Sequence, residues 1–224
     1  MINGVRLKVC GLTSLVDADA ADAVGADYLG FIFYPKSPRF VTHAQYRAMA
    51  ERLPPRKRVA VSVEPTPDEL ARLAELDFDF FQIHFNPETP IDTVATWMKC
   101  VEPSRLWLAP RLPPGSPLRP AWLPLAETFL IDTFHPEKLG GTGATGDWTT
   151  FKHLRENHAE KRWILSGGLS PDNIAEAVSA TGAKFLDVNS GVEQAPGIKS
   201  PAKLKALVLA LHNATKQDNP SYRA

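Results

Sequence analysis

Short apolar runs alternate with stretches of helical periodicity along the whole chain. The runs are Arg6–Cys10, Tyr28–Phe33, Arg58–Val63, Phe78–Phe85, Arg105–Pro110, Thr128–Asp132, Arg162–Ser166 and Phe185–Val188. Most are nearly continuous in apolar residues, as strands buried on both faces should be, rather than alternating like half-exposed ones. Between them, Ser14–Val24, His43–Arg52, Pro67–Glu75, Thr89–Lys99, Trp148–Asn157, Pro171–Ala180 and Pro201–His212 read as helices. The connection after the fifth run, LPPGSPLRPAWLP, is too rich in proline for a regular helix and predicts a short or distorted turn. Thr13-Ser14 and Ser170-Pro171-Asp172 offer N-terminal caps, the latter with proline at the first helical position, and Gly25 and Gly182 offer C-terminal ones.

The chain also carries a weak internal repeat. An offset of 157 positions superposes Gly11-Leu12 on Gly168-Leu169, Ala18 on Ala175, Ala20 on Ala177, Gly25-Ala26 on Gly182-Ala183 and Leu29 on Leu186. Coincidence among frequent residues is the alternative, but the matches fall on the loop, cap and core positions that one βα unit needs. The repeat sets Cys10 opposite Gly167 and so predicts both at the C-terminal end of a strand, on one face of the sheet. Eight strand-and-connection pairs without a linker or composition shift point to a single α/β domain, a (βα)8 TIM barrel, over residues 1–212. In such a barrel the loops after the strands form one mouth, where active sites lie. The polar tail 213–224, NATKQDNPSYRA, lacks periodicity and is expected to fray or dock loosely.

Composition narrows the partners. With 25 acidic and 25 basic residues in 224, no net field draws the chain to nucleic acid or an anionic membrane, and a small-molecule ligand fits better. MINGVRLKVC has no apolar signal core and no apolar run is long enough to cross a bilayer, so a soluble cytoplasmic protein is expected. Two cysteines, Cys10 and Cys100, make neither a disulfide framework nor a metal cluster, and both are read as free thiols. Oligomeric state, monomer or homodimer, is not legible, because amphipathic helices on a barrel exterior serve either.

The strand ends deliver an uneven set of chemistry to the mouth. Asp132 closes the sixth run and precedes a loop carrying Gly140, Gly141, Gly143 and Gly146, an acid followed by backbone able to approach an anion. Gly167-Gly168 and Ser190-Gly191 follow the seventh and eighth runs, where barrels of this kind often bind phosphate. Tight turns needing positive φ are their other role, compatible with the first. Cys10 reads as a small buried hydrophobe or, with donors or a helix N-terminus nearby, as a thiolate base; Cys100 reads as structural. Asp132, partly desolvated behind an apolar run, is a candidate acid, with a cap or loop partner as its plainer role. Arg39 is either a bidentate carboxylate ligand or a solvated surface arginine, and His84 either a core histidine or a ligand contact.

Seven separated segments, KVCGLT at Lys8–Thr13, GFIFYPKSPRFV within Leu29–Val41, Gln82-Ile83-His84, Leu130-Ile131-Asp132, GGTG with Asp147-Trp148, LSGGLSPDNI and DVNSGVEQAPGIKS, together resemble the phosphoribosylanthranilate isomerase family of tryptophan biosynthesis. The resemblance runs in order from about Lys8 to Leu211. It implies a cofactor-free Amadori rearrangement of N-(5′-phosphoribosyl)anthranilate to 1-(2-carboxyphenylamino)-1-deoxyribulose 5-phosphate. By motif position it implies Asp132 as general acid on the ring oxygen, Cys10 as general base at C2′ and Arg39 on the anthranilate carboxylate. His84 and Asp187 would lie near the substrate. Gly141, Gly143, Gly167, Gly168, Ser190 and Gly191 would hold the phosphate, with no metal. Phe85 replaces a usual glycine, which predicts a narrowed or reshaped mouth, and Asn189 replaces a more usual serine. The related aminoaldose isomerase of histidine biosynthesis resembles a chain with aspartate where Cys10 stands. A non-catalytic phosphosugar-binding barrel would be expected to lack the acid or the base.

Overall fold

A computed structural model describes residues 1–113, 115–132 and 147–217, the side chains of 216 and 217 excepted. Eight parallel strands close into a barrel in sequence order: β1 (Arg6–Val9), β2 (Tyr28–Ile32), β3 (Lys57–Val63), β4 (Phe80–Phe85), β5 (Leu106–Pro110), β6 (Thr128–Asp132), β7 (Arg162–Ser166) and β8 (Phe185–Val188). The helices are α1 (Leu15–Ala23), α2 (His43–Ala50), α3 (Pro67–Ala74), α4 (Ile91–Cys100), α5 (Trp148–Asn157), α6 (Ile174–Thr181) and α7 (Pro201–Gln217). The proline-rich fifth connection ends in the 3₁₀ turn Pro120–Leu125, as its composition predicts. Cys10 directly follows β1 and Gly167 directly follows β7, so the two halves of the sequence repeat do end on one face.

Three details differ from expectation. α6 begins at Ile174 and not at Pro171, because Asn173 folds the preceding turn back on itself: its amide donates to the Gly168 carbonyl at 2.9 Å and accepts from the Ser170 N–H at 2.9 Å. α7 continues through Gln217, so the polar stretch from Asn213 begins as helix; the Asn3 side chain donates to Thr215 Oγ1 at 3.0 Å and ties this end to the N-terminus. A hairpin of β9 (Glu193–Ala195) and β10 (Ile198–Lys199), too short to leave a period, is inserted before α7.

Alternation along each strand sorts the side chains into two layers. One parity packs outward under the helices, in a core including Leu7, Val9, Leu29, Phe31, Phe81, Ile83, Leu106, Leu108, Phe129 and Ile131. The other fills the barrel with Val59, Val61, Trp107, Ala109, Leu130, Ile164, Phe185 and Cys10. Four aromatic rings form a plug in that interior: Tyr28 stacks on Phe185 with centroids 4.8 Å apart, Phe80 on Trp107 at 4.9 Å, and Tyr28 meets Trp107 edge-on at 5.4 Å.

Phe85 belongs to the outer layer, which corrects the expectation that it reshapes the mouth. Its parity is opposite to that of Gln82 and His84, so the fully buried ring turns away from the barrel axis and packs edge-on against Trp97 and Trp122, at 5.5 and 5.1 Å. Replacing it with alanine empties a site between sheet and helices. Phe85→Ala is therefore expected to cost about 3–5 kcal/mol in urea unfolding while leaving ligand affinity at the barrel mouth unchanged.

Candidate functional site

The C-terminal mouth of the barrel holds a cavity of ≈ 200 Å³. Its walls are strand ends: Cys10 after β1, Ile32 from β2, Val61 from β3, Gln82 and His84 from β4, Asp132 from β6, Ser166 from β7 and Asp187 from β8. Gly167-Gly168-Leu169 and Asn189-Ser190-Gly191, the loops after β7 and β8, complete it. Thus Cys10, His84, Asp132, Gly167, Gly168, Asp187, Ser190 and Gly191, all singled out in the sequence, converge on one space. Gly141 and Gly143 lie outside the described residues.

At one wall, β1 and β8 close the barrel with Lys8 and Asp187 in register. Lys8 Nζ lies 2.9 Å from Asp187 Oδ2, and the two side chains are 0% and 5% exposed. Lys8 shares Cys10's inward parity, and the adjoining Gly30 makes room for both: a Cβ there would stand 2.9 Å from Lys8 Cε and 3.1 Å from Cys10 Sγ. Burial disfavours the Lys8 ammonium, but the negative charges of Asp187 and Cys10 outweigh it and raise its pKa. For Cys10 burial dominates and pushes the thiol up, against the downward pull of Lys8 and, more weakly, Lys199, while Asp187 adds to the rise. Burial also raises the Asp187 carboxyl, with Lys8 opposing and the Asp132 charge reinforcing. Cys100, partly exposed on α4, is remote from this chemistry.

Across the cavity, His84 pairs with Gln82, ring Nε2 to amide nitrogen at 2.8 Å. The imidazole is partly open to the cavity, yet the surrounding protein and the charges of Lys8 and Arg111 depress its pKa to about 3. It is a neutral ligand-facing ring, not a cation. Two acceptors, Gln82 Oε1 and Asp187 Oδ1, are buried without a hydrogen-bond partner and belong to residues lining this same cavity.

Asp132 stands exposed as the last residue of β6, not partly desolvated as its apolar run suggests. Burial ends one residue earlier, at Ile131, because the strand reaches the barrel rim there. Arg39 is not a solvated surface arginine, and the side-on edge of its guanidinium is already taken. Its Nε and Nη2 bind Glu193 Oε1 and Oε2 at 2.8 and 2.6 Å, and Lys199 Nζ reaches Glu193 Oε1 at 2.8 Å. Burial raises the Glu193 carboxyl, but these hydrogen bonds outweigh it and hold it below the usual range. Lys199 also donates to Asn189 Oδ1 at 3.0 Å, so the hairpin braces the loop after β8.

The glycine loops fit one another closely. Gly167 and Gly168 take φ of +99° and +62°, and a Cβ on Gly191 would lie 2.0 Å from the Leu169 carbonyl oxygen, so only glycine lets the two loops meet. Among the described residues, no three His, Cys, Asp or Glu side chains converge to hold a metal ion, and no helix is long and apolar enough to cross a membrane.

Four residues of this arrangement lie in the quoted segments but were given no role from the sequence. Lys8 and Gln82 were detectable as polar residues of inward parity within apolar strands, each two positions before a candidate. Glu193 and Lys199 lay within the quoted DVNSGVEQAPGIKS segment but carried no parity signal, since their hairpin has no period of its own.

A model of the N-(5′-phosphoribosyl)anthranilate isomerase family matches residues 7–210. The chain belongs to this family. A phosphoribosylanthranilate isomerase from Pseudomonas putida is 40% identical over 215 residues, covering 94% of this chain and 98% of the relative. One from Neisseria gonorrhoeae is 36% identical over 217 residues, covering 95% and 99%. A solved phosphoribosylanthranilate isomerase in complex with reduced 1-(o-carboxyphenylamino)-1-deoxyribulose 5-phosphate superposes with a TM-score of 0.73 at 30% identity, covering 93% of this chain and 99% of that one.

Two measurements check the electrostatics of this family member. Because Glu193 is the buried anion between two cations, Glu193→Gln is expected to destabilise the protein by roughly 3–5 kcal/mol in chemical denaturation. The unfolded chain binds a proton on His84 below its ordinary pKa of 6.5, whereas the folded chain resists it down to about 3. This group therefore makes stability fall as pH drops through that window, by up to about 1.4 kcal/mol per pH unit. His84→Gln is expected to flatten the slope of unfolding free energy between pH 6 and pH 4 by that amount.

Proposed function

We propose that this chain is the phosphoribosylanthranilate isomerase of tryptophan biosynthesis, converting N-(5′-phosphoribosyl)anthranilate to 1-(2-carboxyphenylamino)-1-deoxyribulose 5-phosphate by general acid and base catalysis without a cofactor. The observation that carries the reading is the meeting of Cys10 and Asp132, from β1 and β6, in one cavity with the Gly167-Gly168 and Ser190-Gly191 loops. Backbone N–H groups of those loops hold the phosphate, with Gly141 and Gly143 assigned to it by the sequence motif alone. The unpartnered oxygens of Gln82 and Asp187 offer acceptors to the ribose hydroxyls.

In this reading Asp132 gives a proton to the furanose ring oxygen. The C1′–O bond breaks with its electron pair going to that oxygen, and the anthranilate nitrogen lone pair forms the C1′=N bond of a Schiff base. The Cys10 thiolate then takes the C2′ proton; those C–H electrons form a C1′=C2′ bond, and the C=N π pair returns to nitrogen. The resulting enaminol becomes the aminoketose when O2′ loses its proton and C1′ gains one. The first step needs a donor and the second an acceptor, so two groups in different surroundings suit the sequence of events. Asp132 is exposed at the rim and Cys10 is buried, which gives them that difference. Neutral His84 is a contact for the substrate's polar edge. Arg39 keeps only the end-on edge of its guanidinium, beyond the Glu193 pair, for the anthranilate carboxylate.

The purified protein is expected to consume N-(5′-phosphoribosyl)anthranilate. Cys10→Ala and Asp132→Asn should each lower kcat by about 10²–10⁴-fold with far-ultraviolet circular dichroism unchanged. Wild-type rates in either variant would remove that residue from its role, and an inert wild-type chain that instead turned over the histidine-pathway aminoaldose would replace the reaction itself.

A further inference from the structure

A lysine with no solvent access inside a barrel calls for a reason beyond stability, since a buried ion pair is often no more stabilising than apolar residues of equal volume. Lys8 has a specific neighbourhood. It is anchored to Asp187 across the β1–β8 seam, its stem is confined by β2, and it shares the inward parity of Cys10 two positions on, where a Cβ at Gly30 would crowd both side chains. The carboxylate it binds keeps a second oxygen, Oδ1, without a partner. The ammonium thus has two partners, the Asp187 carboxylate and the Cys10 sulfur.

We propose that Lys8 is a positioning residue whose ammonium, held by Asp187 at the barrel seam, is the counter-ion that sustains Cys10 as a thiolate base. The proposal rests on the reading of Cys10 as the base. It divides the work of the seam pair: Asp187 fixes the ammonium in place and Lys8 supplies the charge, so the two influence the thiol in opposite directions. Other charged groups face the same sulfur less strongly. Lys199 approaches from the β9–β10 hairpin, and Arg39 from the segment after β2, its charge already matched by Glu193. His84 from β4 faces the cavity as a neutral ring, and Asp132 from β6 acts on Asp187. None of these lies on β1 or shares Lys8's place at the closing seam.

The test is a thiolate titration by absorbance at 240 nm, with the Cys10→Ser protein subtracted so that Cys100 cancels, in the absence of substrate. Lys8→Met is expected to raise the Cys10 midpoint by about one pH unit or more, a tenfold loss of thiolate at a given pH. Asp187→Asn, which frees the ammonium for the sulfur, is expected to lower it. The alkaline-rising limb of kcat against pH should move with the Lys8→Met titration while KM stays near the wild-type value. A midpoint that stays put or falls in Lys8→Met overturns the proposal. If that variant does not fold, a midpoint that fails to fall in Asp187→Asn overturns it equally. Because the titration involves no substrate, an inert wild-type enzyme would refute the proposed reaction without deciding the role of Lys8.

Discussion

The ion pair between Lys8 and Asp187 is the constraint around which this molecule is arranged. It joins the first strand of the barrel to the last, 179 residues apart, at positions in direct register. Neither charge has water to fall back on, so each depends on the other for solvation, and breaking the pair would strand a charge inside the barrel. That requirement favours one register at the seam: a slip of a single residue would turn both side chains to the opposite layer. On the aromatic side, Tyr28, Phe80, Trp107 and Phe185 fill the interior with rings. On the mouth side, Cys10, His84 and Asp132 surround open space. The buried pair and the open cavity are adjacent, which is how a barrel filled with side chains still presents chemistry at one end.

A second charged group organises the rim. Glu193 binds Arg39 and Lys199 together, and Lys199 continues to Asn189 in the loop after β8. The segment after β2, the β9–β10 hairpin and the loop after β8 therefore form one braced unit beside Cys10. The Gly191–Leu169 contact then fastens that unit to the loop after β7. Tight packing of this kind explains why Gly191, singled out for an anion, is also a residue no side chain can replace. Its position is dictated by the neighbouring loop's backbone whether or not a ligand is present.

The strand pattern was legible because burial on both faces leaves long apolar runs, and three of the eight strands, β6, β7 and β8, begin and end where the sequence places them. The ends of those runs marked Cys10, His84 and Asp132 for the mouth, and motif position marked Asp187, which the cavity gathers together. What could not be read was pairing across distance. Arg39 looked available because Glu193 lies 154 residues away in a hairpin too short to announce itself. Asp132 looked desolvated because an apolar run says nothing about where the barrel rim cuts across it. The helix expected at Pro171 starts at Ile174 because Asn173 prefers to bond the turn before it, a local competition that cap statistics do not resolve.

The two unpartnered oxygens show how such a site can discriminate. A buried acceptor left without a donor costs about 1–3 kcal/mol, and the fold tolerates two of them on Gln82 and Asp187, residues that line one cavity. Tolerance there makes sense if a shift of the cavity wall admits the missing donors from outside the chain. A ligand bearing hydroxyls that reached those two points would restore what folding left unmade, whereas one lacking them would leave the acceptors unpaired. The same carboxylate holds Lys8 with its other oxygen, so a donor brought to Oδ1 would ease, not sharpen, its demand on the ammonium beside Cys10. A ligand donor reaching Oδ1 would in this way act on the thiol through a single side chain at the closing seam of the barrel.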